Sequence, residues 1–162
     1  MLTRNKVALA AATAMMLTGA VIASPPTPVY LAKAGAGDLY EKTSSQIVLG
    51  STHNPGIRRF ANMMVTDHSK STMMVKSAAM RSGLHPSAPM LDPMQRKMVA
   101  DLQRARGPMR DRMYVDQQKQ AHAMALALHQ EYASTGSAPA LRHAAGDIVP
   151  VVQHHIDMLN HM

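Results

Sequence analysis

Beyond the first two dozen positions, the order of apolar and polar residues follows a helical period, interrupted by clusters of helix breakers. A first helical segment runs from about Val29 to Leu49 and stops at "GSTHNPG". A second runs from Pro55 to Arg81 and stops at "SGLHPSAP". A shorter piece, "DPMQRKMVADLQRA", carries Pro93 in its first turn and is broken by Gly107–Pro108. A third long helix is predicted from about Met109 to Ala133, and a fourth from about Ala140 to His161 with Pro150 inside it as a kink. No stretch sustains a two-residue alternation rich in β-branched residues, so strands are not expected. Four long amphipathic helices with short connections predict an all-α fold, an up-down-up-down four-helix bundle with a short extra helix before the third long one.

Each apolar stripe, followed at i, i+3, i+4 and i+7, is interrupted near its middle by a titratable group. The first reads Tyr30, Ala34, Gly37, Glu41, Ser45, Val48, and the second Ile57, Ala61, Met64, His68, Thr72, Val75, Ala79. The third reads Asp111, Val115, Gln118, His122, Leu126, His129, and the fourth Leu141, Ala145, Ile148, Val152, His155, Leu159. A second stripe on the third helix, through Tyr114, Ala121, Ala125, Leu128 and Tyr132, is nearly as apolar and would put His122 at its edge.

Buried ionisable groups are costly unless paired. Glu41, His68, His122 and His155 meeting in one layer would satisfy one another. One carboxylate and three imidazoles also form a ligand set for a single transition-metal ion: Zn, Fe, Mn, Ni or Cu. Asp67, about 100° round the helix from His68, is suited to orient a neighbouring imidazole through its second nitrogen. The same residues without an ion make a structural hydrogen-bonded layer. Both readings stand on the sequence.

The start of the chain changes the setting. "MLTRNK" and "VALAAATAMMLTGAVIA" have the form of an export signal over residues 1–23, with Val21 and Ala23 at the spacing for cleavage before Ser24. "SPPTP" begins an extended lead-in over 24–29, and the helical domain occupies 30–162. The expected location is exported, periplasmic or associated with the outer membrane. The chain has no cysteine, which excludes disulfides, thiolate metal sites and cysteine nucleophiles. Its formal net charge of +7 includes Arg4 and Lys6 of the signal. A moderately basic exported domain is suited to contact with anionic envelope surfaces. Scarce aromatics and scattered basic residues argue against nucleic-acid binding.

No catalytic motif emerges. Ser69, Ser71 and Ser77 lie near His68, but a serine within a regular helix lacks the exposed turn and oxyanion donors a nucleophile needs. Gly35 and Gly37 read as positions of close helix packing. His154, Met158, His161 and Met162, with Met90, Met94 and Met98 at i+4 spacing, have the donor chemistry of a copper buffer, against which stands the ordinary use of methionine as core filler.

The segments "FANMMVTDHSKS", "DRMYVDQQKQAHAMAL" and "PVVQHHIDML" resemble the signatures of an exported bacterial family, domain-of-unknown-function family 4142, whose members often carry an outer-membrane label. Glu41, Asp67, His68, Asp111, Tyr114, His122, Pro150 and His155 fall on matching positions, and the resemblance spans roughly Tyr30 to Leu159. It implies a ferritin-like bundle with a metal layer in its core and no particular activity. Arg110 departs from the pattern, which favours an aromatic residue there. Di-iron oxidase or iron-storage chemistry is not expected, because the chain has no Glu-x-x-His motif and too few inward carboxylates.

Overall fold

The computed structural model describes residues 25–162, so the expected signal segment lies outside the described residues. Five helices follow: α1 (Thr27–Leu49), α2 (Pro55–Arg81), α3 (Pro93–Arg104), α4 (Gly107–Thr135) and α5 (Pro139–Asn160). Each has a proline in its first two positions, where the missing N–H costs nothing. The α2 start is capped by Asn54, whose Oδ1 accepts from the Gly56 and Ile57 N–H groups at 2.8 and 3.2 Å. The α3 start is a capping box. Asp92 Oδ1 accepts from the Gln95 N–H at 2.7 Å and Gln95 Oε1 from the Asp92 N–H at 3.0 Å. Beyond α2, Gly83 takes φ +71° and lets the Leu84 N–H reach back to the Ala79 carbonyl at 2.9 Å.

These bounds follow the breaker clusters to within two residues. One detail differs. The lead-in over 24–29 is cut short, because Pro28 fits the first turn of α1, which already begins at Thr27. Pro150 lies inside α5 on its exposed face.

The helix directions are the larger finding. One apolar cluster joins Tyr30 and Ala34, Val75 and Ala79, Tyr132, and Leu141 to Val152. Another joins Val48, Ile57 and Phe60, Leu102, Tyr114 and Leu159. α1 and α5 therefore run from the first cluster to the second, while α2 and α4 run back. α1 packs on α2 and α4, and α5 packs on the same two helices. The order is up, down, down, up, not strict alternation. The segment between α2 and α4, carrying α3, is the one long crossover of a ferritin-like bundle. α3 lies against α1 and α4, where Tyr40, Met98, Val99 and Ala121 form a third small cluster.

Tyrosine is a principal filler of this core. All four tyrosines, Tyr30, Tyr40, Tyr114 and Tyr132, are fully buried, whereas Met73, Met80, Met90 and Met109 are more than half exposed. Each ring brings a hydroxyl that finds a partner: Tyr40 donates to Gln117 Oε1 at 2.9 Å, Tyr114 pairs with Ser45 Oγ at 2.8 Å, and Tyr132 with Thr27 Oγ1 at 2.7 Å. Gly136 turns the chain over Tyr132, where a Cβ would stand 2.6 Å from the Tyr132 carbonyl oxygen and ring. Gly37, by contrast, has open space beside it, so close packing is not its role. Arg110 ties the α3–α4 corner, its guanidinium donating to the Ala105 carbonyl at 2.7 Å, to Ser51 Oγ at 2.7 Å and to the Gln103 carbonyl at 3.2 Å. An aromatic residue there would leave these carbonyls to water.

Candidate metal centre

Between the two large apolar clusters lies a polar layer. α2 supplies His68, α4 His122 and α5 His155, and all three are at least 95 % buried. Their ring centroids form a near-equilateral triangle with sides of 5.6, 5.6 and 5.3 Å. One nitrogen of each lies within 4.8 Å of one nitrogen of each of the others. Phe60 covers the layer on the side of the second cluster, its ring centred 6.2 and 6.3 Å from those of His122 and His155.

The outer nitrogens fix the tautomers. His122 Nδ1 is 2.9 Å from the Gln118 carbonyl oxygen, which can only accept, so Nδ1 carries the hydrogen. His155 Nε2 is 3.1 Å from Asp67 Oδ2 and donates to that carboxylate. His68 Nδ1 donates to Asp38 Oδ1 at 2.9 Å. In the neutral rings, the bare nitrogens are therefore His68 Nε2, His122 Nε2 and His155 Nδ1. Two of these, His122 Nε2 and His155 Nδ1, face each other at 3.2 Å. The third, His68 Nε2, is buried without a hydrogen-bond partner. Two lone pairs opposed at that distance repel. Two donors on one ion with metal–nitrogen bonds of about 2.0–2.1 Å stand about 3.3 Å apart in a tetrahedron.

The electrostatics divide the three imidazoles. Burial, together with the neighbouring rings, presses His122 down to about 3. Burial also presses His155 down to about 4, against the pull of Asp67. Burial opposes charge on His68 too, but the Asp38 hydrogen bond and the Glu41 and Asp67 carboxylates lift it above the ordinary imidazole range. Burial pushes the Glu41 carboxyl up to about 7. Three carboxylates thus surround a layer in which one imidazole favours a proton. A divalent cation would balance that charge.

Of the five residues singled out from the sequence, His68, His122 and His155 converge, and Asp67 bonds the outer nitrogen of one of them. Glu41 stands beside the triad rather than in it. Its Oε1 is 3.4 Å from His122 Nδ1, the nitrogen that faces away from the other rings, and its Oε2 is buried with no partner. Asp38 escaped the sequence reading. It is buried on α1 and holds His68, while its Oδ2 accepts from Thr72 Oγ1 at 3.0 Å. Its signal was available, since Asp38 and Glu41 are three residues apart and share a helix face. The Gln118 carbonyl carries no sequence signal at all.

The other candidates disperse. Met90 and Met94 are exposed while Met98 is buried on the inner face of α3 beside Tyr40 and Ala121, and His154, His161 and Met162 are exposed. Ser69 Oγ donates back to the Val65 carbonyl at 2.6 Å, and Ser77 Oγ accepts from Arg81.

A family model described as a domain of unknown function, DUF4142, matches residues 10–162. The chain belongs to the DUF4142 family. The DUF4142 chain is also similar to the crystal structure of a DUF305 fragment from Deinococcus radiodurans, with a TM-score of 0.71 and 16% sequence identity, over 85% of this chain and 95% of that one. At that identity the likeness is one of fold, a helical bundle. No curated protein matches the DUF4142 chain.

Proposed function

We propose that this DUF4142 protein is an exported bundle that binds one transition-metal ion in its core through His68 Nε2, His122 Nε2 and His155 Nδ1. The observation that carries the reading is the set of outer hydrogen bonds. Every imidazole of the triad donates its far N–H to a carboxylate or carbonyl, the arrangement that orients histidine ligands in metal sites, and one nitrogen of each ring lies within 4.8 Å of one nitrogen of each of the others. Asp38, Asp67 and the Gln118 carbonyl are the positioning partners, and Glu41 adds negative charge beside them. An all-nitrogen donor set favours Zn, Cu, Ni or Fe over Mn, which prefers oxygen. Three protein donors leave the fourth position of a tetrahedral ion to water or another small ligand. Export rests on the signal-like residues 1–23.

A second reading has one observation in its favour. The Asp38–His68 and Asp67–His155 pairs tie α1 to α2 and α2 to α5, so the layer also serves as a structural fastener of an envelope interaction module that holds no ion. The test is calorimetric titration of the mature chain with Zn(II), Cu(II), Ni(II) and Fe(II). The metal reading expects one ion per chain for at least one of them, and loss of that binding when His68→Ala and His155→Ala are combined. Binding undiminished in the double variant, or absent from the wild type, would favour the fastener.

A further inference from the structure

The metal reading raises the question of how an ion reaches a layer sealed on most sides. The flanking carboxylates differ sharply in exposure. The Asp38 and Glu41 side chains are 5% and 2% exposed, whereas that of Asp67 is 32% exposed while bonded to His155, itself 1% exposed. Phe60 covers the face toward the second apolar cluster. His154 is exposed, and its ring centre lies 6.4 Å from that of His155. Met63 is one turn before Asp67 on α2, Met158 is one turn after His154 on α5, and both are half-buried against the second cluster. Around His155, α2 thus presents the partly exposed Asp67 carboxylate and α5 the exposed His154 imidazole, beside the one ligand whose outer partner touches water.

Resting on the metal reading above, we infer that Asp67 and His154 form the loading station of the site. A borderline or soft divalent cation is first held at the surface by the Asp67 carboxylate and the His154 imidazole. It then passes inward as Asp67 turns back to the outer nitrogen of His155. A solvent-reached negative charge at the mouth of a low-dielectric passage raises the local cation concentration and the capture rate. The His154 imidazole adds little to the final affinity, which is held by three buried nitrogens. His154 should therefore act on the rate of uptake more than on its equilibrium, and Asp67, which also orients His155, on both.

The test is stopped-flow uptake of Zn(II) by the metal-free mature chain, with the dissociation constant measured in parallel. Asp67→Asn keeps an acceptor for the His155 N–H and removes the charge, and His154→Ala removes the surface ligand. Asp116→Asn, an exposed acid on α4, is the control. Each of the first two is expected to slow uptake about tenfold, with less effect at high salt; affinity stays within about twofold in His154→Ala, falls also in Asp67→Asn because Asp67 orients His155, and the control matches the wild type. Uptake at the wild-type rate in both variants would overturn the inference. So would a loss of affinity in Asp67→Asn equal to its loss of rate with His154→Ala silent, since Asp67 would then only position His155. A wild-type chain that takes up no ion at all would defeat the metal reading itself, and the loading station with it.

Discussion

Four histidines are buried in this bundle, and the contrast between three of them and the fourth is instructive. His129 sits one helical region away from the triad, at the end where α1 and α4 share a tyrosine stack. Its Nδ1 pairs with Tyr30 OH at 3.1 Å, and its ring meets Tyr30 edge-on at 5.7 Å. Tyr30 in turn stacks on Tyr132 with centroids 3.8 Å apart. Burial presses His129 down to about 4, much as it does His155. Depth and depressed basicity therefore do not mark a ligand. What separates the two regions is the destination of the nitrogens. His129 is bound into an aromatic stack by a hydroxyl, whereas the triad directs its outer N–H groups to carboxylates and a carbonyl and its inner nitrogens at one another.

That contrast can be broken from either side. The largest expected effect is in the tyrosine region. Tyr132→Ala removes a fully buried ring and should cost about 3–5 kcal/mol in denaturant unfolding, the range for truncating a large core aromatic. It should leave the stoichiometry of ion binding at the triad unchanged. If the ion were lost while the chain remained folded, the two regions would not be independent.

Next comes the triad's own support. Asp38→Asn removes the charged acceptor of the His68 N–H, and a loss of 10–100-fold in ion affinity is expected, typical of an outer partner of a histidine ligand. His129→Gln should leave that affinity within about twofold while lowering stability by about 1–3 kcal/mol, the cost of disturbing a buried polar pair. Titration calorimetry and urea unfolding on the same two variants would read both numbers. A reversed pattern, with His129→Gln weakening the ion and Asp38→Asn silent, would invert the account.

The pH dependence follows from the directions of the shifts. His122, His129 and His155 stay neutral in the fold down to about 3–4, but take up protons near 6.5 once unfolded. Between those values the unfolded chain binds more protons, so stability of the ion-free protein falls as pH drops from about 6.5 toward 4. Glu41 acts oppositely. Its folded value of about 7 lies above its unfolded value of 4.5, so its contribution is present in acid and is lost as pH rises through 7. His68, raised in the fold, likewise contributes below its unfolded value, and its contribution is lost as pH rises through its folded one. Three imidazoles outweigh one carboxyl on the acid side, giving a maximum near neutrality. His129→Gln should reduce the acid-side slope by about one proton, measured as unfolding free energy against pH. The smallest effect belongs to Thr72→Val. It removes the hydroxyl that lies 2.7 Å from the His68 carbonyl and 3.0 Å from Asp38 Oδ2 and accepts from Lys42, and should cost about 1 kcal/mol with little change at the triad.

What was legible in the sequence depended on how clean each stripe was. On α5, Leu141, Ala145, Ile148, Val152, His155 and Leu159 are all buried, so His155 could be read directly. On α2 the stripe is equally good apart from a half-buried Thr72, and it delivered His68. α4 buries members of both of its competing stripes, Tyr114, Gln118, Ala121, His122, His129 and Tyr132, because it faces α1 and α5 at once. On α1, following Gly37 to Glu41 passed over Asp38, one position away and the actual partner of His68. Helix direction was not legible, because it depends on the path of the α2–α4 crossover and not on any one helix. Hydrogen bonds to carbonyls such as that of Gln118 have no side-chain signature. The family was legible because its polar positions are spaced in order along four helices.

The central claim is that the three inner nitrogens hold an ion in the native protein. Elemental mass spectrometry of the tag-free chain purified from its own compartment tests this most directly. The account predicts close to one transition-metal ion per chain, absent from His122→Ala. A wild-type chain that is cooperatively folded and free of metal would contradict it, leaving His68, His122 and His155 as a hydrogen-bonded fastener between helices.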